Sequence, residues 1–132
     1  MYQKIRVIHE HEREIEVASG SMTRLAGVSN SLGGAEGIHL AIASIPPSQR
    51  SQAHVHTNCE SALYIIKGDG YFLVGEKLDE ILPFTTGDFI FVPPGAPHQP
   101  VNGSDTESVE MIVARNAPVE LVDEYPIPER GG

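Results

Sequence analysis

GDFIFVPPGAPHQPVN, residues 87 to 102, decides how this chain reads. It opens on a glycine, runs through aromatic and β-branched residues, breaks at Pro93-Pro94-Gly95 and resumes at His98. Such a run ended by a proline-glycine cluster reads as a strand followed by a tight turn. The turn delivers His98 to the start of the next strand. A second polar concentration lies upstream: HVHTNCE, residues 54 to 60, sets two histidines, an asparagine, the only cysteine and a glutamate side by side. Three explanations compete there: a metal site, a catalytic cysteine, or loop residues that lie together.

Working outward, the chain is built from short β-rich runs separated by turns. KIRVIHEHEREIEV (4–17) alternates imperfectly and reads as one or two exposed strands. The glycine-rich NSLGGAEG (30–37) is a loop, and IHLAIASI (38–45) is a strand with Ile38, Leu40 and Ile42 on one face and His39, Ala41 and Ala43 on the other. PPSQRSQ (46–52) is a turn. ALYIIK (62–67), stopped by Gly68-Asp69-Gly70, and YFLVG (71–75) read as a hairpin. EILPF (80–84) is a short strand whose Pro83 marks an edge or bulge. ESVEMIVAR (107–115) alternates cleanly, with Val109, Met111 and Val113 facing one way, and VDEYPIPERGG (122–132) reads as an extended tail. Thirteen glycines and ten prolines supply the punctuation. Many short strands without a helical period predict an all-β sandwich or barrel. With 132 residues, no repeat and no boundary, the expectation is a single domain over 1–132.

In a strand, residues two apart share a face. His54 and His56 therefore aim two imidazoles at one space, as adjacent corners of a coordination sphere would require. Two elements meeting at one barrel mouth could bring His98 beside them, with Glu60 as an oxygen ligand. Cys59 has the opposite parity to the histidines, and a catalytic thiol needs an uncommitted imidazole as base. A buried structural cysteine is the better reading.

The two stretches together resemble the cupin superfamily, and the likeness covers about residues 37 to 115. The family's second motif, G-x5-PxG-x2-H-x3-N, is matched by Gly87, Pro93, Gly95, His98 and Asn102. Its first, G-x5-HxH-x3,4-E-x6-G, is matched at His54, His56 and Glu60. Ser48 stands where the leading glycine is expected, and counting back from Gly68 lands on Ser61 rather than Glu60. A bulge absorbs one extra residue, and Glu60 is retained as the expected ligand. The resemblance implies a double-stranded β-helix, a jelly-roll-like barrel, with a core near 37–115, an N-terminal strand extension over 1–30 and a C-terminal tail over 116–132. It further implies one divalent metal ion (Fe, Mn, Zn or Ni) held by His54, His56, Glu60 and His98, and a homodimer whose N-terminal strand crosses to its partner.

The expected function is a metal-dependent enzyme on a small molecule: dioxygenase-type oxidation, or Lewis-acid isomerase or decarboxylase chemistry. The alternative is a non-enzymatic small-molecule binding or sensing module on the same barrel. Tyr64 and His39 are the weaker catalytic candidates. Tyr64 and Phe72 are candidates for the barrel lumen, and Asn102 is assigned to fixing the turn after His98. The formal charge of −9, from 9 basic and 18 acidic residues, argues against phosphate backbones and anionic lipid as partners. No apolar run approaches the roughly 18 residues of a membrane span. One cysteine cannot close an internal disulfide. A cytoplasmic protein is the expectation.

Overall fold

Period-two alternation, which leaves one apolar face per strand, is what assembles this molecule. The computed structural model describes residues 2–18, 20–118 and 121–125. A single 3-10 turn, Glu10–Glu12, precedes the strands. In chain order these are β1 (Glu14–Glu16), β2 (Thr23–Val28), β3 (His39–Ile45), β4 (His54–His56), β5 (Ser61–Lys67) and β6 (Gly70–Val74), followed by β7 (Glu80–Phe84), β8 (Phe89–Val92), β9 (His98–Asn102), β10 (Val109–Arg115) and β11 (Val122–Glu124). They form two antiparallel sheets, ordered β1-β2-β3-β10-β5-β8 and β11-β4-β9-β6-β7. This is the double-stranded β-helix expected from the sequence. No helix among the described residues is long and apolar enough to cross a membrane.

The inner faces meet in a core of Ala43 and Ile45 from β3, Leu63 and Ile65 from β5, Val109 and Met111 from β10, Phe72, Phe84 and Val92. Removing these apolar faces from water drives the two sheets together. The parity of β5 is therefore settled by Leu63 and Ile65: residues 61, 63 and 65 point inward, and 62, 64 and 66 outward.

Two expectations are corrected here. Residues 62–67 and 71–75 do not form a hairpin: β5 pairs with β10 and β8, whereas β6 pairs with β7 and β9 in the other sheet. Gly68, at φ +105°, lets the chain step from one sheet to the other instead of folding back on itself. At the N-terminus only Glu14–Glu16 becomes a strand, pairing with Arg24–Ala26, and residues 2–9 have no regular structure. Pro83 does lie in an edge strand, β7. The tail reading holds in part, because Val122–Glu124 pairs with β4 while residues 126–132 lie outside the described residues.

Candidate metal centre

Strand register brings the three histidines together. His54 and His56 lie on β4, His98 begins β9, and His54 is the direct antiparallel partner of His98. The ring centroids are 4.4 Å apart for His54 and His98, 4.9 Å for His54 and His56 and 5.2 Å for His56 and His98. One ring nitrogen from each histidine lies within 4.8 Å of the other two, which places them within about 2.8 Å of a common centre. A metal–imidazole bond is about 2.0–2.1 Å, so closing the triad on an ion takes shifts of at most about 1 Å.

Backbone carbonyls set the chemistry of two of these rings. Nδ1 of His54 lies 2.8 Å from the Gln52 carbonyl oxygen, and Nδ1 of His98 lies 2.9 Å from that of Ala96. A carbonyl only accepts, so both Nδ1 atoms carry the proton and each Nε2 keeps its lone pair, the tautomer a metal requires. In each ring the partner carbonyl belongs to the residue two positions earlier, so the same local device orients both. The Pro-Pro-Gly turn fixes the third ring's strand: the Gly95 amide donates to the His56 carbonyl at 2.8 Å. Gly95 sits at φ +77°, which explains the glycine in that turn.

Asn102 closes the far end of β9. Its Nδ2 donates to the carbonyls of Ile45 (3.0 Å), Pro46 (3.1 Å) and Glu107 (2.8 Å), and its Oδ1 accepts from the Ser104 amide at 2.8 Å. It is a structural fastener for the strand that carries His98. Ser48, in the place of the motif's leading glycine, adopts φ +62°. The backbone there keeps the left-handed geometry that favours glycine, although the side chain has changed.

Glu60 is not brought to the triad. Among the described residues the group of clustered metal-ligand types is His54, His56 and His98 alone. β5 starts at Ser61 with its inward positions at 61, 63 and 65, so Glu60 falls one residue out of step and is exposed. It lines a surface recess with Ile38, His39 and Asn116 instead. The inward slot is taken by Ser61, which is buried and lines the same cavity as the imidazoles. The count back from Gly68 carried this signal, and no bulge restores Glu60.

Tyr64 and His39 are likewise absent from the cavity wall. Tyr64 has outward parity and packs on Phe89, with ring centroids 4.8 Å apart. His39 faces inward but is only 1% exposed, with its Nε2 3.0 Å from the Glu16 carboxylate. Phe72 does line the cavity. Cys59 is buried and reduced. Asn58 serves the tail, its Oδ1 accepting from the Leu121 amide at 2.7 Å.

The triad opens on a cavity of about 270 Å³ between the sheets. Its wall is largely apolar, with Met22, Leu63, Phe72, Val92, Met111 and Val113 among the contributors. Besides the histidines, its polar members are Arg24, Gln52, Ser61 and Glu124. Arg24 is held in place: its Nε donates to Glu16 Oε1 at 3.1 Å and its Nη2 to the Val17 carbonyl at 3.3 Å. Glu124 is the register partner of His54 on β11. Sequence reasoning missed both, because each reaches the cavity only through pairing between distant strands.

A family model described as "Cupin domain" matches residues 41–115. The chain belongs to the cupin family. This cupin is similar to the polyketide cyclase RemF from Streptomyces resistomycificus, with TM-score 0.77 and 18% identity, covering 96% of this chain and 89% of that one. It is also similar to an uncharacterized protein with a double-stranded beta-helix domain from Klebsiella pneumoniae (TM-score 0.69, 15% identity, 85% and 90% covered). A third similar structure is Bacillus subtilis oxalate decarboxylase, which has Mn(II) centres (TM-score 0.67, 18% identity). The cupin covers 83% of its own length in that match and 29% of the decarboxylase. Likeness at these identities is a likeness of fold.

Proposed function

We propose that His54, His56 and His98 hold one divalent metal ion and that the cavity above them is the active site of an enzyme for a carbonyl-bearing small molecule. The observation that carries this reading is the pair of Nδ1 atoms bonded to backbone carbonyls, which leaves Nε2 as the ligand atom of His54 and His98, in a group of three imidazoles whose offered nitrogens lie within 4.8 Å of one another beside a largely apolar cavity. Histidines kept only for packing have no need of that orientation. Glu60 is left out of the ligand set, and the Ser61 hydroxyl takes the inward position beside the triad.

Bound there, a divalent ion would supply Lewis acidity to a carbonyl or enol oxygen. The chain's own groups do the rest. The apolar wall excludes water and strengthens every charge interaction inside. The Arg24 guanidinium, braced by Glu16 and Val17, faces negative charge that develops on substrate oxygens. The Glu124 carboxylate, on the wall beside His54, is the group placed to accept a proton from carbon or oxygen. Isomerisation, cyclisation or decarboxylation fits this set of groups. The similar RemF structure is named a polyketide cyclase and the Bacillus subtilis one an oxalate decarboxylase, and both names fall within that range.

The test uses ethyl 2-methylacetoacetate in deuterated water with protein loaded with Mn(II) or Zn(II). Proton NMR reads exchange at the acidic carbon, and an oxygen electrode runs in parallel. Exchange that needs metal and is lost in Glu124→Gln supports the reading. Oxygen uptake without metal-dependent exchange would move the assignment to oxidation, and tight binding with neither would make the barrel a binding module.

We further propose that the cupin is a homodimer through the outer face of its six-stranded sheet. Ile15, Leu25, Ile42, Ile112, Tyr64 and Phe89 are successive cross-strand partners and form an apolar row across all six strands. Phe89 is 81% exposed and Ile15 85% exposed. A contiguous apolar patch of this kind marks an interaction surface, and a second copy brings an identical row to meet it.

A further inference from the structure

The strands β7 and β8 end their respective sheets and do not pair with each other; the turn at 85–88 is what joins them. The barrel is therefore open along that side. The opening is a groove of about 640 Å³, walled by Leu82, Pro83 and Phe84 from β7, Ile90 and Phe91 from β8, and Pro97. Three of its residues, Phe72, Val92 and His98, also line the cavity that holds the triad. His98 thus borders both spaces, and the Phe72 ring, 6.2 Å from it, stands in the partition.

We propose that this groove is a second compartment of the site, which takes the apolar tail of a substrate whose oxygen-bearing head lies on the three imidazoles. The proposal rests on the metal-centre reading above. Volume favours it: the inner cavity, about 270 Å³, falls below the range of about 300–1,000 Å³ for small-molecule sites, and the groove extends it. Chemistry favours it too, since the wall is almost entirely aliphatic, aromatic and prolyl. The groove is poorly suited to an added protein strand, because Pro83 removes an amide donor from the exposed edge of β7. The ligand class is an acyl or aromatic chain joined to a chelating carbonyl, enol or carboxylate.

The experiment titrates Zn(II)-loaded protein with alkyl hydroxamates of two, six and ten carbons by calorimetry. Each hydroxamate carries the same chelating head. Binding should tighten by about tenfold or more from the two-carbon to the six-carbon chain, as buried methylenes dictate. Leu82→Glu, on the groove wall and about half exposed, should leave the two-carbon affinity unchanged and reduce the chain-length gain to under threefold. Val122→Glu, at the cavity side, should keep the gain. A gain that survives Leu82→Glu, or that Val122→Glu abolishes, would put the tail elsewhere and overturn the proposal. So would a wild-type affinity independent of chain length. Failure of the protein to retain Zn(II) at the loading step would instead remove the metal-centre reading, and the compartment with it.

Discussion

Replacing Glu60 by Gln separates a three-histidine centre from a centre with a carboxylate ligand. Glu60 is exposed, lies one residue out of step with the inward face of β5 and lines a recess away from the triad. An exposed, solvent-screened carboxylate alters the binding of a nearby cation by less than about fivefold. A coordinating carboxylate behaves differently: removing a group that merely touches a ligand costs about 10–100-fold in metal affinity, so removing a ligand costs more. The two cases are at least an order of magnitude apart. Competition between the protein and a chromophoric chelator for Zn(II) reads the difference directly. Glu60→Gln is expected within fivefold of wild type, and His54→Ala beyond a hundredfold weaker. The reciprocal change, Ser61→Glu, aims a carboxylate from the inward position and is expected to tighten binding. A loss of a hundredfold or more in Glu60→Gln would refute the register argument.

Three other outcomes follow from the same geometry. Ser48→Gly relieves a left-handed backbone that costs a non-glycine residue about 1–2 kcal/mol, against about 0.5–1 kcal/mol of added chain entropy; urea unfolding should show a net gain of about 0.5–1 kcal/mol, and a loss would contradict the strain. Asn102→Ala leaves three carbonyls and one amide without their shared partner, and water reaches some of them, so a destabilisation of about 2–4 kcal/mol is expected in the same assay; a value under 1 kcal/mol would show that the fastener is dispensable. Phe89→Lys places a charge in the outer apolar row and should weaken self-association by about thirtyfold or more in sedimentation velocity, with metal content unchanged. A wild-type protein that sediments as a monomer at tens of micromolar would remove the dimer.

Much of this arrangement was legible in the residue order, and the failures have specific causes. Alternation in 38–45 and 107–115 separated the two faces of β3 and β10, because a two-sheet core imposes period two on any strand it buries, although the inward face of β3 carries His39, Ala41 and Ala43 rather than the bulkier Ile38 and Leu40. His54 and His56, two apart, share a face, and the Pro-Pro-Gly turn delivers His98 opposite His54. The expected carboxylate ligand and the inward face of β5 differ by a single step of register: the spacing to Gly68 already pointed to Ser61, and the alternation of Leu63 and Ile65 places Ser61 rather than Glu60 on that face. Tyr64 has the same cause, having outward parity in the same strand. The supposed hairpin at 62–75 looked ordinary because a short Gly-Asp-Gly link serves a crossing between sheets as well as a reversal within one. Arg24 and Glu124 had no local signal at all. Their place on the cavity wall depends on β2 pairing with β3 and β11 pairing with β4, which are contacts of the folded chain alone.

Metal content tests the central claim most directly. The wild-type protein and His56→Ala are incubated in parallel with Fe(II), Mn(II), Zn(II) and Ni(II) under reducing conditions, desalted, and measured by elemental mass spectrometry. The account expects about one ion per chain in the wild type, from at least one of these metals, and less than about a tenth of that in the variant. A wild type that retains none of the four, or a variant that retains as much as the wild type, would contradict a metal centre at His54, His56 and His98.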